Sequence, residues 1–186
     1  MNRIKVVVVG PSDCGKSYLC NFLSEAIEQV TGDYRPTVGV RIIEYEVNVS
    51  VKTKPVKVEV ELWDLSGDVK YENCWPAVFK GSHGVMFVYS PDHSEHSREL
   101  EDWHTRTHRT FPLKDTCCCV VSNNKCAKVE RDVVVLPLAF SKFKHIKNNI
   151  ADDGEKLREQ FGKFITQILS SRQEATEQEE LNIMNA

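Results

Sequence analysis

A run of apolar residues opens the chain and gives way to a pattern with helical spacing. Residues 3–9 are rich in β-branched side chains and end at Gly10, which predicts a buried strand. From about Lys16 to Gln29 the spacing is that of one face of a helix. The apolar positions are Leu19, Cys20, Leu23, Ile27 and, just beyond, Val30. The chain therefore begins as strand, loop and helix.

Two alternating segments follow. Apolar and polar residues partly alternate in residues 41–51 and alternate strictly in residues 56–64. A period of two is typical of strands that bury one face. Because only the short break at residues 52–55 separates the two segments, the pattern predicts an antiparallel hairpin.

The next elements are a strand, a helix and a strand. Residues 84–90 predict a buried strand, and residues 116–122, which contain three consecutive cysteines, predict a core strand. Between them, one helix face is formed by Leu100, Trp103, Thr107 and Phe111. Residues 133–140 fit either a strand or a packed loop, and residues 143–150 fit a last strand.

The last helix has a clear start. Asp152 and Glu155 have the spacing of a capping box, and the apolar residues after them recur with a period of 3.6. These are Leu157, Phe161, Phe164, Ile165, Ile168 and Leu169. We expect one domain over residues 1–172 and a polar, acidic segment over residues 173–186 that is a mobile tail or a frayed helix end.

The order of the elements indicates an α/β fold. Strands that alternate with helices form a mostly parallel sheet with helices on both faces. Such sheets bind ligands beyond the carboxyl ends of their strands. The loop that follows the first strand lies at that edge.

Length and charge limit the possible partners. The 186 residues, 41% of them hydrophobic, suit one domain. The net charge is -3 without a long stretch of one sign, so we expect no nucleic acid or anionic lipid as ligand. No run approaches the roughly 18 apolar residues of a membrane span. The last residues carry no cysteine for a prenyl group, so we expect a soluble, intracellular protein without a lipid anchor.

The loop after the first strand has the spelling of a phosphate-binding loop. Its sequence, GPSDCGKS, fits G-x-x-x-x-G-K-[ST] between a strand and a helix. A triphosphate needs several converging donors, and successive main-chain N–H groups at a helix N-terminus supply them. We expect Lys16 to reach the outer phosphates and the Ser17 hydroxyl to bind Mg²⁺. The candidate residues are Gly10, Pro11, Ser12, Asp13, Cys14, Gly15, Lys16 and Ser17.

Two further segments resemble the Ras superfamily of small GTPases. The segment ELWDLSGD is similar to the WDTAGQ segment of that superfamily, and YRPTVGV is similar to its first switch. The resemblance implies a Ras-like P-loop fold with a mostly parallel, six-stranded sheet. It also implies GTP or GDP as ligand, a contact of Gly67 with the last phosphate, and Mg²⁺ bound through Ser17, Thr37 and Asp64.

A narrower resemblance concerns one branch of that superfamily. The segments RPTVGVRIIEYE, ELWDLSGDVKYENCWPAV, IADD and EELNIM resemble the Rab-like small GTPases of the intraflagellar transport complex B. Membership implies a protein of the cytoplasm and of the cilium or flagellum. It further implies docking on coiled-coil subunits of that complex.

Two positions depart from a working GTPase. Ras-type enzymes carry a glutamine after the switch glycine to orient the attacking water, but this chain has Asp68. The guanine-binding motif N-K-x-D is represented by Asn124 and Lys125, with Ala127 in place of the aspartate. A lost contact of this kind costs ~1 to 3 kcal/mol. We therefore predict slow hydrolysis and either weakened guanine selectivity or selection by another residue.

Three functions are compatible with these features. One is a GTPase switch that cycles, another is an adaptor that keeps GTP bound, and a third is an unrelated P-loop enzyme, for which no lid or acceptor pocket is apparent. Asp68 and the expected lack of a lipid anchor favour the adaptor. The second switch is the segment that begins in ELWDLSGD, around Gly67 and Asp68. Among the aromatic residues on or beside it, we expect Trp63 and Phe79 in the core and Tyr71 and Trp75 at an interface.

Overall fold

A computed structural model describes residues 2–25, 36–51, 53–111, 114–124, 136–148 and 150–184. The strands are β1 (Asn2–Val9), β2 (Val40–Val51), β3 (Lys54–Leu65), β4 (Gly84–Tyr89), β5 (Cys118–Asn123) and β6 (Lys144–Asn148). The helices are α1 (Lys16–Leu23), α2 (Trp75–Phe79), α3 (His96–Thr110) and α4 (Ile150–Met184). Short 3₁₀ segments span Val69–Cys74, Asp115–Cys117 and Leu138–Phe140.

The strands form one sheet in the order β2-β3-β1-β4-β5-β6. All neighbouring pairs are parallel except β2 and β3, which form the predicted antiparallel hairpin. Its register runs from Val51 opposite Lys54 to Val40 opposite Leu65 without a break. The prediction of a mostly parallel, six-stranded sheet is confirmed.

Helices cover both faces of this sheet, as predicted. On one face α1 and α4 pack on the strands through side chains such as Leu19 and Phe164, both fully buried. On the other face α2 and α3 pack through Trp75 and Trp103. The cysteines of β5 lie in the core, and burial raises the pKa of Cys118 to about 12, so its thiol stays protonated.

Some boundaries differ from the prediction. Helix α1 ends at Leu23 instead of Gln29, because Glu25 has a φ of 55°, which an α-helix cannot continue; residues 26–29 lie outside the described ranges. Helix α4 begins at Ile150, so Asp152 lies within its first turn and is not its cap. The described part of residues 133–140 is loop and a 3₁₀ turn, which settles that segment as loop from Leu136 onward.

The segment predicted as a tail continues helix α4. The helix runs on to Met184, and every residue from Arg172 to Met184 is exposed. The mobility of this segment stays a prediction. Across the described residues, we find no helix with both the length and the apolar character that a membrane span needs.

Candidate nucleotide site

The phosphate-binding loop lies at the carboxyl end of β1 and leads into α1, as predicted. Gly10 has a φ of 145°, and a Cβ placed there would lie 2.0 Å from the Val88 carbonyl oxygen. Gly15 has a φ of 86° and precedes α1, whose first turn has neither a side-chain cap nor an acidic residue. The N-terminus of α1 therefore offers free main-chain N–H groups and the positive end of the helix dipole to an anion.

Lys16 closes the loop from within. Its side chain is buried, and its Nζ donates hydrogen bonds to the carbonyl oxygens of Gly10 at 2.9 Å and Pro11 at 2.6 Å. Both acceptors are in the phosphate-binding loop itself, which we call the cradle, so the ammonium group lies inside the curve of this loop. This is the position from which a point charge reaches bound phosphates.

Asp13 turns its side chain outward, as the loop requires. Its backbone has a φ of 58° and its side chain is half exposed. The carboxylate lies 3.9 Å from His93 Nε2, in the loop between β4 and α3. The acidic side chain is therefore directed to the surface.

The three residues predicted to bind magnesium converge. Ser17 Oγ lies 2.8 Å from Thr37 Oγ1, which donates a hydrogen bond to Asp64 Oδ2 at 3.3 Å. Since the only hydroxyl proton of Thr37 is used toward Asp64, Ser17 donates to Thr37. Three oxygen-bearing side chains from α1, the first switch and β3 thus meet at the mouth of the loop.

The donor set fits Mg²⁺. Asp64 is fully buried, and its Oδ1 has no hydrogen-bond partner within the described ranges. A buried carboxylate oxygen without a partner is costly, and a hard cation or a water bound to it would satisfy it. Hydroxyl and carboxylate oxygens are the ligands that Mg²⁺ prefers.

The second switch packs directly on the loop. A Cβ at Gly67 would lie 2.5 Å from the main-chain nitrogen of Ser12 and 2.6 Å from its Cα. Only glycine allows this approach, so the switch glycine and the phosphate loop are in van der Waals contact.

Asp68 points away from a catalytic role. Its carboxylate accepts a hydrogen bond from the Lys70 main-chain N–H at 3.0 Å and pairs with the Lys70 ammonium group. The hydrogen bonds from Lys70 hold the pKa of the Asp68 carboxyl below its usual value, so it is ionised at neutral pH. It caps the 3₁₀ segment that follows and has no amide N–H with which to orient water.

The asparagine that reaches the loop is Asn123, which the sequence analysis did not select. Its Nδ2 donates to the Cys14 carbonyl oxygen at 3.1 Å, and its side chain is buried. Asn124 follows β5 and is half-buried, and Lys125 lies outside the described residues. The doubled asparagine was the available signal, but the spelling N-K favoured the second of the pair.

Arg41 was also missed. It lies on β2 opposite Asp64, and its Nη2 is 3.3 Å from Asp64 Oδ2 and 3.2 Å from the Ser17 carbonyl oxygen. The signal that could have found it is the hairpin register, because a tight connection after Val51 puts residues 41 and 64 side by side.

The aromatic residues of the second switch are placed differently from the prediction. Trp75, expected at an interface, is fully buried and stacks on Trp103 with a centroid distance of 4.8 Å, so that prediction is wrong. Phe79 is in the core, as predicted. Trp63, expected in the core, is only half-buried, with Lys5 Nζ 3.5 Å from its ring centroid. Tyr71 is half-buried under Lys70.

This fold and loop geometry define a P-loop domain of the small-GTPase class. In agreement, residues 5–127 match the family model "Ras of Complex, Roc, domain of DAPkinase". The chain is 40% identical over 185 residues to the intraflagellar transport protein 22 homolog of Xenopus tropicalis, with 99% of this chain and 100% of that protein covered. The human homolog is 37% identical over 186 residues, with the same coverage. The chain belongs to the family of intraflagellar transport protein 22 homologues.

Solved structures agree on the fold. The T. brucei IFT22/74/81 GTP-bound crystal structure matches with a TM-score of 0.75 and 24% identity, covering 94% of this chain and 99% of that one. The T. brucei IFT22 GDP-bound crystal structure matches with a TM-score of 0.70 and 22% identity, covering 92% and 99%.

Proposed function

We propose that this chain binds GTP together with Mg²⁺ and serves as a nucleotide-bound adaptor subunit of the intraflagellar transport complex B, with slow hydrolysis. The observation that carries the proposal is the convergence of Ser17, Thr37 and Asp64 at the mouth of the phosphate loop. These side chains come from three separate elements, and nucleotide with its metal gives that arrangement a purpose.

Each part of the cradle and of the neighbouring metal site has a proposed role in nucleotide binding. The main-chain N–H groups of residues 13–17 bind phosphate oxygens, because no side chain caps the N-terminus of α1. Lys16 adds a buried positive charge. Bound Mg²⁺ neutralises negative charge on the phosphates. Ser17, Thr37 and Asp64 are the residues that would hold it.

Slow hydrolysis is supported by the state of Asp68. In the superfamily, the glutamine at this position orients the attacking water. Asp68 instead caps the next segment and stays ionised beside Lys70. Nucleotide binding therefore serves to hold the two switches in one arrangement more than to drive turnover.

The proposed setting is the cilium or flagellum, together with the cytoplasm. It is supported by the names of the relatives, which are intraflagellar transport proteins, and by the fold match to the T. brucei IFT22/74/81 GTP-bound crystal structure. The docking partners we propose are coiled-coil subunits of complex B. Val69, which is 49% exposed, and Tyr71 offer apolar surface on the second switch for such a partner.

Lys16→Ala and Ser17→Asn test the proposal. Both should strongly reduce GTP binding, measured by titration with a fluorescent GTP analogue, and both should weaken co-elution with the coiled-coil subunits. Lys142→Ala is the matched control, because the Lys142 side chain is 80% exposed and outside the cradle. Unchanged assembly by variants that no longer bind nucleotide would overturn the adaptor role.

A further inference from the structure

Arg41 contacts two of the three elements that form the magnesium site. Its guanidinium lies 3.3 Å from the Asp64 carboxylate on β3 and 3.2 Å from the Ser17 carbonyl oxygen on α1. Arg41 and Asp64 are direct cross-strand neighbours, so the backbone of the hairpin sets their separation. Arg41 also follows Thr37 by four residues, at the start of β2.

Asp64 needs a positive partner. Its side chain is fully buried, and a buried carboxylate without a counter-charge is strongly destabilising. Thr37 supplies a hydrogen bond but no charge. Among the ion pairs formed by the described residues, Asp64 has Arg41 as its partner and no other cation.

The two oxygens of Asp64 are used differently. Oδ2 receives both the Thr37 hydroxyl and the Arg41 guanidinium, whereas Oδ1 has no partner within the part of the chain that the structure describes. The guanidinium thus fixes one side of the carboxylate and presents the other. A cation that binds there, directly or through a water, lies close to the charge of Arg41 and is repelled by it.

We propose that Arg41 is the built-in counter-ion of Asp64 and that it lowers the affinity of the site for Mg²⁺. The role of Arg41 in metal affinity rests on the proposed nucleotide function, whereas its contacts with Asp64 and Ser17 do not depend on that proposal. Without metal, the guanidinium compensates the buried carboxylate and keeps the site folded. With metal, the same charge opposes Mg²⁺. Arg41 is therefore a positioning residue that sets how easily the metal leaves, and it couples the metal to the strand that follows Thr37.

The test compares full-length wild type with Arg41→Gln, which is uncharged, and Arg41→Lys, which keeps the charge. The first readout is thermal unfolding of nucleotide-free protein in EDTA, where Arg41→Gln should unfold at a clearly lower temperature and Arg41→Lys close to wild type. The second is the Mg²⁺ dependence of fluorescent GDP release. Here Arg41→Gln should show an apparent Mg²⁺ affinity about three- to tenfold tighter than wild type, since one nearby positive charge is removed.

Lys57→Gln is the matched control. Lys57 lies on the same hairpin and pairs with Glu46 at 2.7 Å, but both side chains are about half exposed. It should match wild type in both readouts.

An Arg41→Gln protein with unchanged or weaker Mg²⁺ affinity, or with unchanged stability in EDTA, would overturn the inference about Arg41. Either result would leave the proposed nucleotide-binding function standing. If Arg41→Gln fails to fold, a tighter Mg²⁺ affinity for Arg41→Lys than for Lys57→Gln overturns it instead. A wild type that binds no nucleotide refutes the proposed function, and the EDTA comparison then still decides whether Arg41 compensates Asp64.

Discussion

The side chain of Asn123 is hydrogen-bonded to the main chain of Cys14, Nδ2 to O at 3.1 Å, across 109 positions of sequence. Both residues are buried. The end of the fifth strand is thereby tied to the middle of the phosphate loop. The loop's shape depends on this tertiary contact as well as on its own glycines.

Asn123→Asp should weaken both the loop and its ligand. The substitution keeps the shape of the side chain but removes the donor and places a carboxylate against a carbonyl oxygen. A buried acceptor left without its partner costs about 1–3 kcal/mol. We expect roughly ten- to hundredfold weaker GTP binding, measured by fluorescence titration, and a lower unfolding temperature.

Asn124→Asp is the neighbouring comparison. Asn124 is half-buried beyond the end of β5, so this change should lower the unfolding temperature less than Asn123→Asp does. The reverse ranking would mean that the loop is held by the asparagine that the N-K spelling indicates.

Asp68→Gln should accelerate hydrolysis. It supplies an amide that can orient water. The single-turnover rate of GTP hydrolysis should rise at least several-fold. Asp68→Asn, which can still accept the Lys70 N–H hydrogen bond but is one methylene shorter, should give a smaller increase. Equal rates for the wild type and both variants would show that Asp68 does not limit turnover.

Gly67→Ala should disturb the contact between the second switch and the loop. The added methyl group would lie 2.5–2.8 Å from main-chain atoms of Ser12 and Pro11, so one of the two backbones must move. GTP affinity should fall at least tenfold. The control is Gly162→Ala in α4, where an added Cβ would have no described atom within 4 Å. This substitution should stabilise the helix by ~0.5–1 kcal/mol. Gly67→Ala with wild-type affinity would contradict the packing.

His83 predicts a loss of stability in mild acid. Its Nδ1 accepts a hydrogen bond from the Lys5 main-chain N–H at 2.9 Å, and burial, with a contribution from Arg172, lowers the pKa of His83 from 6.5 to about 4. The unfolded chain therefore binds a proton more readily than the folded one below pH 6.5. The contribution of His83 to stability is complete above that pH and is lost as pH falls from 6.5 toward 4.

His83→Asn isolates this effect. Asparagine can accept the same hydrogen bond without titrating, so the free energy of unfolding of the variant should fall less steeply with pH over this window. Denaturant titrations at several pH values measure both slopes. Equal slopes would assign the acid sensitivity to other groups.

Elements with a local signal could be predicted from the sequence. The valine run predicted β1, the alternation of apolar and polar residues predicted β2 and β3, and the spacing of Gly10, Lys16 and Ser17 predicted the phosphate-binding loop. Each of these signals lies within a short stretch of the chain. The convergence of Ser17, Thr37 and Asp64 was predicted because the segments that carry them resemble those of the small GTPases.

The features that the sequence analysis missed depend on distant partners. Trp75 is buried because Trp103, on another helix, stacks on it. The choice between Asn123 and Asn124 depends on where β5 ends, which its pairing with β4 and β6 determines. Arg41 gains its role only when the hairpin register places it opposite Asp64. No short motif carries this information.

The most direct measurement is the identity of the nucleotide that the protein carries. The full-length chain is purified without added nucleotide in a buffer with Mg²⁺, denatured, and the released compound is identified by chromatography and mass spectrometry. We predict GTP, near one equivalent, from the wild type and none from Lys16→Ala. An adenine nucleotide, or a folded protein that carries no nucleotide and binds none when offered, would contradict it.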